Sequence, residues 1–317
     1  MTIISHCTLR TLTDAASALR GGRLVVFPTE TVYGLGADAE NEASVRRIYE
    51  VKGRPLDHPV IVHIGDLKYL ESWVSEIPDY AIQLARDFWP GSMTLVLPRS
   101  ELAEDFITGG QESVGIRIPA HSLALQLLKE FHLQGGKGVA APSANRFGEV
   151  SPTSAKAAQE EIGSRLSIND LILDGGLCVV GIESTVIDCR GKRPRILRPG
   201  AITEKMIFAA TGLGVGNEPN SLRVSGSLDN HYAPRARVIV GSSSLPGAGF
   251  LALAKIPTPD GMIRLASPET VDEYGRVLYQ SLRDADHQGL ATIVIVAPEG
   301  DGLAIAICDR IEKARTK

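Results

Sequence analysis

The stretch LVVFPTETVYGLG, residues 24–36, decides the fold class. Its four leading apolar residues predict a buried strand, and Pro28 ends the strand because proline has no backbone N–H to donate. Two threonines, a glutamate and paired glycines follow at once. Open α/β sheets bind ligands at strand ends, and glycines let a ligand approach the backbone closely. The stretch therefore predicts either a ligand site at a sheet edge or a plain turn from strand to loop.

Strand and helix patterns alternate outward from this stretch over the first two hundred residues. A short helix is predicted from Thr13-Asp14 to Gly21-Gly22, because Thr and Asp cap helices and paired glycines end them. Further helices are predicted at 42–51, 79–88, 123–131 and 151–162. Further strands are predicted at 60–62, 94–97, 114–118, 139–141, 171–173, 184–188 and 195–197. Several connections are too short for helical crossovers, so residues 1–211 are expected to form an α/β domain with a large mixed sheet.

The composition changes after Ala210. Glycine, proline, asparagine and serine crowd residues 212–236, which predicts a linker. A smaller α/β domain is expected at 237–317 and should pack against the first domain. Its predicted elements are strands at 238–240, 250–254, 262–265 and 292–296, and helices at 268–286 and 303–315.

The bulk composition excludes several classes of function. A net charge of −4 over 317 residues argues against a dedicated nucleic-acid binder, which needs a basic excess to neutralise phosphates. The four cysteines form no C-x-x-C pair, so neither a zinc site nor a redox pair is expected. The first ten residues lack a secretory apolar region, and no run reaches 18 apolar residues. A cytoplasmic location without membrane contact is the resulting expectation.

Common nucleotide and nucleophile motifs are missing. The sequence has no P-loop G-x-x-x-x-G-K-[ST] and no G-x-S-x-G elbow. Gly34, Gly36 and Ala39 formally match a dinucleotide fingerprint, but the segment before them is too polar for the required buried strand. His58 and His63 could suggest a metal pair, although no third ligand is apparent.

Polar clusters at predicted strand boundaries supply the candidate site. The cations are Lys52, Arg54, Arg117 and Arg198, and the hydroxyl and amide groups come from Ser113, Ser143, Asn145 and Ser184. Structural alternatives stay open for three of the candidates: a solvated helix end for Lys52, a buried carboxylate partner for Arg117 and a core position for the neighbouring His63. No lysine or cysteine stands out as a nucleophile. The set suits holding a polyanion rather than forming a covalent intermediate.

Seven segments, taken in order, resemble the YrdC-like threonylcarbamoyl-AMP synthase family over about residues 10–210. They read PTETVYGLG, KGRP, HPVIVHI, VGIRIPAHS, APSAN, GIESTVID and ILRPG. The later segment GSLDNHYAP, residues 226–234, resembles the linker of the two-domain branch. That branch carries a small Rossmann-like second domain, which the resemblance places at 237–317.

The resemblance implies an ATP-dependent nucleotidyltransferase that joins L-threonine and bicarbonate to AMP and releases pyrophosphate. It implies that threonine contacts Thr31, His63, Arg117 and Ser184. It implies that ATP, with Mg²⁺, contacts Lys52, Arg54, His58, Ser113, Ser143, Asn145, Arg198 and Tyr232. Lys52 and Arg54 are the expected catalytic cations, and no protein side chain is expected to hold a metal. The product would pass to a tRNA threonylcarbamoyl transferase.

Two positions depart from the family pattern, which has Asn at His58 and Pro at Ser225. The first should alter ATP contacts, and the second should loosen a lid formed by residues 212–236. Arg117→Ala is expected to abolish threonine-dependent turnover while folding normally. The alternatives are a double-stranded RNA binding module with weak RNA affinity, a hydrogenase-maturation carbamoyl transferase and a regulatory protein that kept only the fold.

Overall fold

The computed structural model describes residues 2–4, 7–217, 222–226 and 232–315. Two sheets organise these residues, one of ten strands and one of four. Part of the predicted linker, including residues 227–231 of the GSLDNHYAP segment, lies outside the described residues. The domain boundaries at 211 and 237 stay a prediction, although the last strand of the large sheet ends at Arg198 and the first of the small sheet begins at Arg237.

The ten-stranded sheet is mixed, as the short connections predicted. Its strands are β1 (Thr2–Ile4), β2 (Val25–Phe27), β3 (Gly34–Asp38), β4 (Ile61–His63), β5 (Met93–Pro98), β6 (Ser113–Arg117), β7 (Val139–Ala140), β8 (Leu171–Leu173), β9 (Thr185–Asp188) and β10 (Arg195–Arg198). Their order is β1-β8-β2-β3-β7-β4-β6-β5-β9-β10. The pairs β1–β8, β2–β8, β4–β6 and β5–β9 are parallel, and the other pairs are antiparallel.

Helices cover the large sheet and bury its apolar residues. They are α1 (Leu9–Arg20), α2 (Glu42–Lys52), α3 (Leu70–Trp73), α4 (Asp79–Phe88), α5 (Asp105–Thr108), α6 (Ser122–Leu133), α7 (Ala155–Ile162) and α8 (Glu204–Thr211). Asn41 caps α2 through the N–H of Ser44, and Gly53 ends it in the left-handed conformation. Lys52 is therefore the last residue of α2, and Arg54 lies at the start of the loop that follows Gly53.

Near the N-terminus, one sequence prediction is wrong and one strand was not predicted. The first helix starts earlier than Thr13-Asp14, because the Thr8 hydroxyl caps it by accepting from the N–H of Thr11. Residues 34–38 form a strand rather than a loop, and β3 pairs antiparallel with β2. The polar residues 28–33 are therefore the turn of a hairpin at the edge of the core, not an exit into a loop.

The second sheet is parallel throughout its four strands, with the order β11-β14-β12-β13. Its elements are β11 (Arg237–Val240), β12 (Gly249–Leu251), β13 (Ile263–Ala266), α9 (Val271–His287), β14 (Thr292–Ile295) and α10 (Leu303–Arg315). Helix α9 joins β13 to β14, α10 follows β14, and the parallel sheet with these helices forms the expected Rossmann-like unit. Among the described residues, none of the helices combines the length and the apolar character that a bilayer crossing requires.

Helix α9 packs the second unit against the first. Arg276 donates from Nε to the carbonyl oxygen of Val179 at 2.8 Å, and Arg283 pairs with Glu161 at 2.7 Å. Gly181 has φ +82°, and a Cβ there would come within 2.5 Å of the backbone of Arg276. This close approach requires glycine. Loop 177–183 of the large sheet therefore lies directly on α9.

Candidate active site

A cleft lies where the ends of several strands of the large sheet meet the linker. Its walls come from the hairpin turn after β2, the ends of β4 and β6, the loop after β7, the loop before β9 and the end of β10. The lining residues are Thr29, Val32, Gly34, Ile61, His63, Arg117, Ala141, Pro142, Ser143, Glu183, Ser184, Arg198, Ser225 and Tyr232. Segments separated by up to two hundred residues thus form one site.

Arg117 is the buried cation at the centre of one wall. Its Nη2 donates to Oε1 of Glu30 at 2.6 Å, and its Nε donates to the carbonyl oxygen of Gly91 at 3.3 Å. Within the described part of the chain, these bonds leave Nη1 available toward the cleft. Arg117 thus has the buried carboxylate partner that one interpretation predicted, and it also lines the cavity. Its contact with a ligand stays a prediction.

Glu30, the partner of Arg117, is also held in place by hydrogen bonds. The N–H of Ala120 donates to its Oε2 at 2.9 Å, and the Ser92 hydroxyl donates to Oε1 at 3.2 Å. Burial alone would raise the pKa of Glu30, but the charge of Arg117 and the hydrogen bonds from Ala120 and Arg117 hold that pKa below its ordinary value. Glu30 is therefore an anion that orients Arg117.

His63 lies beside Arg117 because β4 and β6 pair in register at these two residues. Its ring meets Phe27 edge to face, with centroids 6.1 Å apart. Burial, followed by the Arg117 charge, lowers the pKa of His63 to about 3, so the ring is neutral. Its buried Nδ1 finds no hydrogen-bond partner among the residues that the structure describes. A buried polar atom of this kind at a cleft is suited to a ligand.

Thr31 stands behind the cleft wall rather than on it. Its hydroxyl is fully buried and lies 2.8 Å from the hydroxyl of Thr29, which is the threonine that lines the cavity. Thr29 also donates to the carbonyl oxygen of Val32 at 2.7 Å. The two threonines thus stiffen the hairpin turn, and Thr29 is the one of the two that lines the cleft.

Ser184 and Arg198 form the opposite wall. The Ser184 hydroxyl lies 2.8 Å from that of Thr94, and Arg198 donates from Nε and Nη2 to the Ser184 carbonyl oxygen at 3.1 and 2.9 Å. Arg198 also donates from Nη1 to the carbonyl oxygen of Ser225 at 2.6 Å. One guanidinium thus joins the loop before β9 to the linker.

Lys52 is buried, and its ammonium donates to the carbonyl oxygens of Ser143 and Asn145. Burial, followed by the Arg54 charge, holds the pKa of Lys52 well below its ordinary value. Asn145 donates to the carbonyl oxygens of Arg146 and Glu149, and its Oδ1 has no partner among the described residues. Lys52 therefore holds the loop that brings Ser143 to the cavity.

Arg54 and His58 share a neighbouring turn. Arg54 donates from Nη2 to the carbonyl oxygen of Pro59 at 2.8 Å, and its guanidinium lies 5.8 Å from the Phe147 ring centroid. His58 meets the same ring edge to face at 5.3 Å. Burial lowers the pKa of both residues, to about 10 for Arg54. Neither side chain lines the central cleft.

A second cavity continues from the first beyond Ile61 and Ser225, which line both. Ser113, at the start of β6, lines this second cavity together with linker residues 223–225. Arg223 fastens the linker there by donating to the carbonyl oxygens of Asp57 and Gly109, at 2.9 and 2.8 Å. The linker therefore covers the side of the site predicted for the nucleotide.

Tyr232, at the other end of the described linker, is buried and has φ +62°, a conformation that is strained for a side chain of this size. Its ring stacks on Tyr279 with centroids 5.6 Å apart, and the Arg310 guanidinium lies 5.3 Å from its centroid. Burial raises the pKa of Tyr232 to about 12, so the phenol stays protonated.

A resident metal does not fit this site. Among the described residues, no three His, Cys, Asp or Glu side chains are grouped so that they could hold an ion. The two carboxylates beside the cleft, Glu30 and Glu183, are each paired with an arginine.

Comparison with known proteins places this fold and site in a class. Residues 17–200 match the Sua5/YciO/YrdC family model, described as "Telomere recombination", and residues 202–315 match "Threonylcarbamoyl-AMP synthase, C-terminal domain". The fold is thus that of the two-domain Sua5/YciO/YrdC class. The chain belongs to the threonylcarbamoyl-AMP synthase family.

The curated relatives match nearly the whole chain. The threonylcarbamoyl-AMP synthase of Pyrococcus abyssi is 39% identical over 95% of this chain and 92% of its own, and that of Bacillus subtilis is 36% identical over 96% and 92%. The crystal structure of P. abyssi Sua5 complexed with L-threonine is similar, with a TM-score of 0.89 and 37% identity. The match covers 99% of this chain and 98% of that one.

Sequence reasoning missed the residues that support the site. Glu30 and Glu183 were visible in their motifs, but nothing local to them indicated Arg117 and Arg310 as partners. Tyr279 and Arg310 carry no signal in the sequence, because a tyrosine on an amphipathic helix is ordinarily a core residue.

Proposed function

We propose that this chain synthesises threonylcarbamoyl-AMP and pyrophosphate from L-threonine, bicarbonate and ATP, for N6-threonylcarbamoyladenosine modification of tRNA. Family membership supports the reaction. The observation that carries the substrate assignment is the Arg117–Glu30 pair, in which Glu30 orients one face of the guanidinium and leaves Nη1 for a substrate carboxylate. Charge-assisted hydrogen bonds between guanidinium and carboxylate are roughly twice as strong as bonds between neutral groups.

Threonine is proposed to bind between the two walls of the central cleft. Arg117 would hold the carboxylate, and the neutral His63 would use its unpartnered Nδ1 for a polar group of threonine. Ser184, on the opposite wall, would contact the amine or the side-chain hydroxyl. Thr31 would act through the Thr29 hydroxyl that it orients.

ATP is proposed to bind on the linker side. Arg198 would supply positive charge to the phosphates, while Lys52 and Arg54 would act as the catalytic cations. The remaining proposed contacts are His58, Ser113, Ser143, Asn145 and Tyr232. Since Arg198, Lys52 and Arg54 donate to carbonyl oxygens here, ATP must compete with those bonds or use their remaining N–H groups.

The chemistry needs positioning more than a protein nucleophile. The threonine amine attacks the carbon of CO₂ and loses a proton, or attacks bicarbonate with loss of water, to give a carbamate. A carbamate oxygen then attacks the α-phosphorus of ATP, and the bond to pyrophosphate breaks. Fixed cations offset the charge that spreads over the phosphate oxygens, and the closed linker excludes water from the carbamate and the anhydride. The anhydride is an activated acyl group, which suits transfer to tRNA by a second enzyme.

The test is pyrophosphate release by the purified chain with threonine and bicarbonate each present or omitted. The proposal expects release only when both accompany ATP. Release that needs neither, or a folded sample that releases none, would contradict it. A salt-dependent gel shift with double-stranded RNA would test the alternative function, which the net charge of −4 does not favour.

A further inference from the structure

A buried carboxylate links the two sheets of the molecule. Glu183 lies in the loop before β9 and lines the cleft. It accepts from the Ser151 hydroxyl at 2.6 Å, from the Tyr279 hydroxyl at 2.8 Å and from Nε of Arg310 at 3.0 Å. Two of these three donors belong to helices α9 and α10 of the second unit.

The same two residues also hold the linker. Tyr279 stacks on the ring of Tyr232, and the guanidinium of Arg310 lies over the same ring. Arg310 further donates from Nη2 to the carbonyl oxygen of Pro199 at 3.0 Å, directly after Arg198. Tyr279 and Arg310 thus contact three segments of the cleft at once, namely the loop before β9, the end of β10 and the linker.

The three side chains that make these contacts are buried. Arg310 and Tyr279 are fully buried, and Glu183 is 6% exposed. Burial alone would raise the pKa of Glu183, but the charges of Arg310 and Arg198 and the bond from Ser151 lower it to about 2. A buried anion that loses a donor must find another partner or move, so the position of Glu183 depends on both second-unit residues.

Glu183 is covalently joined to Ser184. The Ser184 carbonyl oxygen accepts a hydrogen bond from Arg198, and the Ser184 hydroxyl is hydrogen-bonded to the Thr94 hydroxyl. A shift of Glu183 therefore displaces the wall proposed to contact threonine. We infer that Tyr279 and Arg310 are positioning residues for the reaction, acting through Glu183 on Ser184 and through Tyr232 on the linker. The inference rests on the proposed function, since it assigns a role in that same site to the second unit.

Tyr279→Phe is the sharpest test because it removes one hydroxyl and keeps the stacked ring. The matched control is Tyr274→Phe on the same helix, an equally buried residue whose hydroxyl donates to the carbonyl oxygen of Val296 at 3.1 Å, away from the cleft. Tyr279→Phe should raise the KM for threonine and lower kcat/KM by roughly tenfold or more, as loss of a hydrogen bond to a charged group does. Tyr274→Phe should leave both constants near wild type.

A merely structural role predicts a different result. Partial unfolding would lower the active fraction, and hence kcat, with an unchanged KM for threonine. That pattern in Tyr279→Phe, or equal losses in the two variants, would overturn the inference. The threonine dissociation constant measured by calorimetry gives a readout without turnover and should weaken in Tyr279→Phe alone.

A double-mutant cycle tests whether the effect passes through Glu183. In the Glu183→Gln background, Tyr279→Phe should have little further effect on kcat/KM, because the charged acceptor is already gone. Full additivity would contradict the inference. Wild-type protein that forms no product would instead contradict the proposed function, so the two failures are distinguishable.

Discussion

Arg117 and Glu30 form a buried ion pair at the cleft, with Nη2 and Oε1 2.6 Å apart, although 86 residues lie between them in the chain. The pair changes how a substitution at Arg117 must be interpreted. The expectation that Arg117→Ala folds normally conflicts with this contact, because the variant leaves Glu30 buried without its cation. Loss of one partner of a buried pair costs about 3–5 kcal/mol.

Arg117→Lys is therefore the better substitution. Lysine keeps the charge but lacks the planar fork, so it can satisfy Glu30 or the substrate carboxylate but not both. The KM for threonine should rise roughly 10- to 100-fold, the loss expected for one charge-assisted hydrogen bond. Steady-state kinetics at saturating ATP and bicarbonate measure the change. Arg99→Lys, at a partly exposed ion pair that lines no part of the cleft, is the control and should keep the wild-type KM.

Threonine binding should not depend on a titration of His63. Burial and the Arg117 charge lower the pKa of His63 to about 3, so the ring stays neutral from pH 5.5 to 8. The threonine dissociation constant, measured by calorimetry without bicarbonate, should be flat over that range. A His63-dependent break near pH 6.5, absent from His63→Gln, would show that the ring is solvated and charged.

Acid should destabilise the fold through Glu183. Its pKa is about 2 in the folded state and lies near the ordinary glutamate value of about 4.3 when unfolded. A lowered folded-state pKa stabilises the protein above the unfolded pKa, and this contribution is lost as the pH falls toward the folded pKa. The free energy of unfolding from urea titrations should therefore fall between about pH 4.5 and pH 2. Glu183→Gln should be less stable at pH 7 and should lose less over that window.

Gly226→Ala should damage turnover more than stability. A Cβ at Gly226 would lie 2.1 Å from the Tyr232 hydroxyl oxygen, and φ is +81°. Gly212→Ala is the matched control, because Gly212 also has positive φ, +68°, but no atom within 4 Å of the added Cβ. In both variants, backbone strain at the alanine should lower the free energy of unfolding by about 1–2 kcal/mol. Only Gly226→Ala should also lower kcat, and equal rates in the two would show that the Gly226–Tyr232 contact is dispensable.

Much of the fold could be predicted because most core strands contain a short apolar run bounded by polar residues. The helix predicted at 42–51 matches α2 (Glu42–Lys52) to within one residue, since its apolar periodicity is a local signal. The strand β3 was missed because two of its five residues are glycine and its pairing with β2 depends on the hairpin turn. Thr8 was missed as a cap because Thr13 and Asp14 give the same signal.

The cations and hydroxyls of the candidate site could be predicted from the sequence. The residues that orient them could not. Arg117 and Arg198 are unusual among apolar strand residues, so the sequence singles them out. Their orientation depends on contacts between distant segments, such as Glu183 with Arg310 over 127 positions. Such contacts follow from how the second unit packs, which no local pattern encodes.

The most direct test of the central claim is the identity of the nucleotide product. Purified protein would be incubated with ATP, L-threonine and ¹³C-bicarbonate, and the adenylate would be analysed by mass spectrometry. The account predicts one species that contains AMP, threonine and the labelled carbon, formed together with pyrophosphate. An adenylate of threonine without the label, or AMP as the only nucleotide product, would contradict it.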